Sequence, residues 1–380
     1  MKKVFCIILL ICSVFCILFF SNNTSIKANS DLLFEGELTP NSKSAYLVEV
    51  STNTVLYAKN ENEKMSPASM TKVMSMLLVM EALESGKIKL NDMVVATEEA
   101  CRLGGSQIYL EVNEKMSVDD LLKSMAIASA NDATMALALY IAGTEEGFVK
   151  MMNDRARSLG MENTNYVNPY GFDDPEHYTS SKDMASLSCY LINKYPRILE
   201  YTSRYEDYVR EDSDKKFWLV NTNKLVKFID GVDGLKTGWT NKAGYCLTST
   251  IKKDGKRYLA VSMNASSPEL RNKDVTAMLN FAVNNYDVIT YKTKGEVVKE
   301  INDYKFKPSV YHFIVEEDIN IVIKKSVNDI NVSSIIKNGK LEVYVNDELY
   351  KTYDLSVKEN IEKKKFFDIV FMVLKEIIFN

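Results

Sequence analysis

The chain of 380 residues contains only two histidines, His177 and His312, in segments far apart. A serine nucleophile served by a histidine base, or a zinc centre with two imidazole ligands, does not fit that composition. Neither His-Glu-x-x-His nor a dense Cys/His/Asp cluster occurs, so no metal and no cofactor is expected. A hydrolase built from this chain needs another base, and lysine is the leading substitute. Ser-x-x-Lys occurs three times, at Ser69–Lys72, Ser213–Lys216 and Ser334–Lys337. Only the first combines a helix-start signal with a following apolar run. Ser66 is expected to cap that helix and Pro67 to take its first position. Ser69 then lies in the first turn, where unpaired N–H groups favour developing negative charge. Lys72, one turn on, faces the same side.

To act as a base Lys72 must be neutral, and moving its pKa from ~10.4 to about 7 takes roughly 4–5 kcal/mol. Burial and a second cation can supply that. The candidate cation is Lys236, in Gly231-Val-Asp-Gly-Leu-Lys-Thr-Gly-Trp-Thr240, where Gly238 lets backbone approach closely and Thr237 adds a hydroxyl. Ser129-Ala-Asn131 is a third polar group, at a break between two apolar segments. Each pattern alone is weak; Ser326-Val-Asn328 repeats the Ser-x-Asn spacing. The specific signal is their order along one chain.

The elements that must hold these groups read as one mixed α/β domain over about 33–290. Ala45–Val50 and Val55–Ala58 flank a turn and form a hairpin. Val73–Leu83 is apolar nearly all round, a buried helix. Ser117 and Ser180 open further helices with Asp three residues on, and Ala133–Ile141 is another helix. Gly244–Ile251 and Arg257–Met263 bracket Lys252-Lys-Asp-Gly255 as a second hairpin. The charged stretch Tyr205–Phe217 is expected to be a surface loop. From 293 to 355, alternating Ile319, Ile321, Ile323 and Leu341, Val343, Val345, with the turn Asn338-Gly339, point to a small all-β module. Residues 361–380 read as an amphipathic helix behind Lys363-Lys-Lys365, either a membrane-surface anchor or a core helix.

At 46% hydrophobic and 26% charged the chain is of ordinary globular make-up, and a net charge of −4 leaves no footprint for nucleic acid. Residues 1–28 have the layout of a secretory signal peptide, the rival being an uncleaved anchor. The mature chain then keeps Cys101, Cys189 and Cys246, an odd, scattered set that reads as free thiols.

Ser66–Lys72, Gly105–Leu110, Ala126–Asp132, His177–Met184 and Val232–Leu247 together resemble the D-alanyl-D-alanine carboxypeptidases, low-molecular-mass penicillin-binding proteins of the peptidase S11 type. The resemblance implies an α/β (α+β) fold of the serine β-lactamase/transpeptidase kind: an antiparallel sheet flanked by helices, then the small β domain and the C-terminal helix. It implies an exported enzyme at the outer face of the cell membrane and wall that removes the terminal D-alanine from peptidoglycan stem pentapeptides and is inhibited by β-lactams. Ser69 is then the nucleophile and Lys72 its base; Ser129 relays a proton, and Asn131 holds Lys72 and the substrate amide. Backbone N–H groups of Ser69 and Trp239 form the oxyanion hole. Lys236 and Thr237 meet the substrate carboxylate, with Arg271 as a second cation. Trp239, next to Gly238, is expected to tune substrate preference or acylation. Two rivals remain. One is a secreted serine β-lactamase, although no Glu-x-x-Leu-Asn lies between the second and third motifs. The other is a non-catalytic wall-binding protein on the same fold. His177 and Cys246 read as structural, and Tyr109 either lines the groove or packs.

Overall fold

A computed structural model describes residues 32–327, 329–365 and 369–370. The first hairpin is β1 (Ser44–Glu49) and β2 (Thr54–Lys59). A 3-10 turn over Ala68–Thr71 leads into α1 (Lys72–Glu84). Next come α2 (Val118–Ile127), α3 (Asn131–Ala142) and α4 (Ser181–Lys194). A small hairpin follows, β3 (Glu206–Val209) and β4 (Phe217–Val220). Then come β5 (Val232–Thr240), β6 (Gly244–Lys253), β7 (Lys256–Ala265) and α5 (Pro268–Asn285).

Strands β2-β1-β7-β6-β5 form one antiparallel sheet in that order. The two-residue period of β1 divides its side chains between two cores. Tyr46 and Val48 pack with α1, α2, α3 and α4, while Ala45 and Leu47 pack against α5. β7 repeats the division, Val261 and Met263 on one side and Tyr258 and Ala260 on the other. Helix α1 lies inside the first core, with every residue from Lys72 to Met80 buried, which is why its apolar residues show no polar face. The cap signals hold: Ser117 Oγ accepts from Asp120 N, and Ser180 Oγ from Asp183 N.

After α5 the described residues form mainly strands and the turns between them. Strand β8 (Tyr286–Lys292) pairs with β12 (Ile319–Lys324). Five others, β9 (Val297–Asn302), β11 (Val310–Val315), β13 (Val332–Lys337), β14 (Lys340–Val345) and β15 (Glu348–Val357), form a sheet ordered β9-β11-β15-β14-β13. The short β10 (Phe306–Lys307) pairs with β16 (Glu362–Lys363).

Two expectations are corrected. The stretch 205–217 is a loop only in part: 210–216 connect two strands, while Glu206–Val209 and Phe217 belong to the β3–β4 hairpin, whose Val209 and Leu219 are buried in the first core. The tail does not begin as a helix at 361, because Glu362–Lys363 pair as a strand with β10. Of the rest of that expected helix, 366–368 and 371–380 lie outside the described residues, as does the expected signal peptide. Among the described residues, no helix is long and apolar enough to cross a membrane. Cys101, Cys189 and Cys246 are free thiols.

Candidate active site

Ser69 sits in the 3-10 turn just ahead of α1. Ser66 does not cap it. Its hydroxyl donates to Asp173 Oδ1 at 2.7 Å, and Pro67 occupies the cap position without a side-chain hydrogen bond. What holds the turn is close backbone contact from two sides. A Cβ at Gly238 on β5 would lie 2.5 Å from Pro67 O and 3.2 Å from Met70 N. A Cβ at Gly171, where φ is +98°, would lie 1.9 Å from Ala68 O. Only glycine fits at either point.

Lys72 is fully buried, and its Nζ lies 3.0 Å from Ser69 Oγ, 2.7 Å from Asn131 Oδ1 and 2.7 Å from Tyr170 O. Burial first, and the charge of Lys236 second, hold its amine well below the usual lysine range, while Asp132 opposes them. A neutral amine has two N–H donors and one lone pair. Asn131 Oδ1 and Tyr170 O take the two donors, and the lone pair is left facing the Ser69 hydroxyl. That is the arrangement of a base poised on a nucleophile.

Asn131 is the first residue of α3, fixed by its Nδ2 donating to Gly104 O at 2.7 Å and its N–H to Ser106 O at 2.7 Å. Ser129, two residues earlier, has φ of +62° and is buried, and its Oγ has no protein hydrogen-bond partner. Lys236 is buried on β5, 3.2 Å from Thr237 O, and burial with the Arg271 charge lowers its pKa to about 7. Thr237 Oγ1 donates to Thr222 Oγ1 at 2.7 Å. Arg271, on α5, lies behind β6: it donates to Cys246 O at 3.3 Å and to Asn272 Oδ1 at 2.8 Å. Cys246 is the cross-strand partner of Gly238, which places the guanidinium one strand from the Lys-Thr-Gly run. Trp239 is half exposed at the end of that run, tilted on Tyr245 with ring centroids 5.9 Å apart.

Ser69, Lys72 and Asn131 are thus in direct contact, and Lys236 and Gly238 lie against them through charge and packing. His177 stands apart from this chemistry. Its Nδ1 accepts from Val167 N at 3.1 Å, so Nε2 carries the proton and donates to Thr71 Oγ1 at 2.7 Å. Burial lowers its pKa to about 4, and its place is that of a brace behind the turn. Tyr109 projects into solvent, 68% exposed, its ring edge-on to Phe217. Sequence reasoning missed the 168–173 segment. Asn168 Oδ1 accepts from Gly171 N and Phe172 N, and so aims Tyr170 O at Lys72. The run Asn168-Pro-Tyr-Gly171 is a turn signal that could have drawn attention to it. Also missed was buried Asp132, which accepts from Ile108 N and Leu110 N and ties the Gly105 loop to α3. Among the described residues, no cluster of metal-ligand side chains occurs.

A family model described as D-alanyl-D-alanine carboxypeptidase, Peptidase_S11, matches residues 33–267. The D-alanyl-D-alanine carboxypeptidase DacF of Bacillus subtilis is 45% identical over 344 residues, 87% of this chain and 88% of that protein. The structure of penicillin-binding protein 5 from Haemophilus influenzae superposes with a TM-score of 0.75 at 27% identity, covering 85% of this chain and 98% of that one. Penicillin-binding protein D2 from Listeria monocytogenes, solved in an ampicillin-bound form, is 33% identical with a TM-score of 0.58, over 65% of this chain and 98% of that one. On the match of the family model and of these relatives, the chain belongs to the D-alanyl-D-alanine carboxypeptidase family, Peptidase S11.

Proposed function

We propose that the protein is a serine-type D-alanyl-D-alanine carboxypeptidase acting outside the cytoplasm on peptidoglycan stem pentapeptides. The observation that carries the reading is the buried Lys72 Nζ, in hydrogen-bond contact with Ser69 Oγ, Asn131 Oδ1 and Tyr170 O. Ser69 Oγ attacks the carbonyl carbon between the last two D-alanines as its proton passes to Lys72. Charge on the carbonyl oxygen is met by the N–H groups of Ser69 and Trp239. The C–N bond then breaks, and the leaving D-alanine nitrogen takes a proton by way of the Ser129 hydroxyl. Asn131 holds Lys72 and the substrate amide. Water next attacks the ester, freeing the shortened peptide and restoring Ser69. Lys236 and Thr237 bind the terminal carboxylate, with Arg271 supporting the positive field behind them.

A β-lactam presents a carbonyl and a carboxylate to the same groups and acylates Ser69. With no glutamate of the Glu-x-x-Leu-Asn kind to speed hydrolysis, that ester is released slowly. The signal at 1–28 and a membrane-surface role for the tail complete the reading as an exported, wall-facing enzyme. The test is incubation with labelled penicillin and with a free stem pentapeptide. The wild-type chain takes up the label stably and releases D-alanine. Ser69→Ala does neither, with kcat/KM lower by at least about 10^4-fold. A wild-type chain that takes no label sinks the proposal.

A further inference from the structure

The β3–β4 hairpin has two unlike faces. Val209 and Leu219 point into the first core and are buried. Tyr208 and Trp218, direct cross-strand partners, share the opposite face and are 37% and 54% exposed. Lys216 lies over the Tyr208 ring at 4.0 Å. Two partly exposed aromatic rings on one face of a hairpin, one of them with a lysine amine over it, offer a large amphipathic surface at little entropic cost.

The hairpin is continuous with the catalytic groups. On its inner side Phe217 packs against Tyr109 of the loop that Asp132 ties to α3. Beyond it, β4 runs to Thr222, whose hydroxyl accepts from Thr237. Trp218 and Thr222 are four Cα steps apart, at most about 14 Å when extended. In a stem pentapeptide four residues lie between the sugar that roots it and the scissile bond, and extended they span about the same distance. At the hairpin's tip Arg210 pairs with Glu114 at 3.0 Å and Lys215 with Glu111 at 2.6 Å, and Glu211, Asp212 and Asp214 add acidic groups beside Lys216. No surplus of cations there would draw an anionic polymer.

We propose that Tyr208 and Trp218 form a docking surface for the uncharged amino-sugar strand of the substrate, set so that a stem rooted there ends at Ser69. Sugar C–H faces stack on the two rings, and ring hydroxyls and N-acetyl groups remain hydrated or bonded at the rim. The proposal rests on the carboxypeptidase reading for its distance argument, so its test has a second, independent arm.

The chain has two tryptophans, so the full-length Trp239→Phe variant reports on Trp218 alone. Peptide-free glycan chains should shift its indole emission saturably, and should leave the emission of Trp218→Phe unmoved. In the kinetic arm, Trp218→Ala should lose about tenfold in kcat/KM on a glycan-linked pentapeptide, equivalent to ~1.4 kcal/mol. The loss should fall in KM, the free pentapeptide should react at an unchanged rate, and Trp218→Tyr should recover most of the preference. An absent shift, a shift that persists without Trp218, an equal loss on both substrates, or a stronger response to a polyol-phosphate polymer overturns the surface. Failure to cleave free pentapeptide sinks the carboxypeptidase reading instead, and the emission arm still decides whether glycan binds here.

Discussion

The sheet-and-helix region and the β-rich region that follows it are built from similar strands, yet they bury different things. In the first, Lys72, Ser129, Asn131, Asp132, Lys236 and Arg271 all lie out of solvent. Past Asp274, no buried polar or charged side chain occurs among the described residues. The core there is Val315, Ile319, Ile321, Leu341, Val343 and Tyr353. Burying an amine is costly unless its bonding is complete or its charge is lost. Lys72 and Lys236, both buried and close enough for the charge of one to lower the pKa of the other, are the amines that bear this cost here. The β-rich region has an apolar core and, among its described residues, no such cluster.

The sharpest way to break this contrast is at Lys72. Lys72→Met should lower acylation by about 10^2- to 10^4-fold, read from labelled-penicillin uptake. The pH profile refines it. With Lys236 at about 7 in the free enzyme, kcat/KM should fall on its alkaline side near pH 7 as that cation is lost. A bound carboxylate favours protonated Lys236, so the corresponding limb of kcat should lie at higher pH. Stability runs the other way. The unfolded chain holds the Lys236 proton up to its usual value of 10.5 and the folded chain releases it near 7. The apoenzyme should therefore gain stability as pH rises from about 7 to 10.5, and Lys236→Met should flatten that slope in a Tm series.

Next in size, Ile321→Ala should destabilise the β-rich region by about 2–5 kcal/mol, seen by calorimetry or limited proteolysis. If that region is a support, kcat/KM on free pentapeptide stays within about twofold. A parallel fall in activity would mean that the two regions are one machine.

The smallest effect concerns His312, whose Nδ1 lies 2.6 Å from Glu359 Oε1 and Nε2 3.3 Å from Glu300 Oε2. The hydrogen bond to Glu359 raises its pKa above 6.5. The contribution is full below 6.5 and is lost as pH rises through the raised value. His312→Gln should remove a slight fall in the Tm of the β-rich region over that window.

Much of the site was legible because its groups are local pairs on regular elements. Ser69 and Lys72 are one turn apart, Ser129 and Asn131 flank a helix start, and Lys236–Gly238 follow one another on a strand. The capped helices and the alternating β strands were legible for the same reason of period. What escaped came from distant backbone. The third partner of Lys72 is a carbonyl 98 residues away, and a carbonyl carries no mark of residue type. Ser66 has the right chemistry for a cap, but Asp173 competes for its hydroxyl. The 205–217 stretch reads as a loop by charge, yet its first strand puts Val209 into the core, and its ion pairs reach to Glu111 and Glu114. Such long-range partners have no signature in a single chain.

Gly238 sets a limit on how this enzyme can drift under antibiotic pressure. Any side chain there meets Pro67 O and Met70 N, so it pries β5 from the turn that carries Ser69. Trp239 beside it is half exposed and has room for other side chains. An inhibitor anchored on the backbone of residue 238 would bind where a substitution also forces the strand away from that turn.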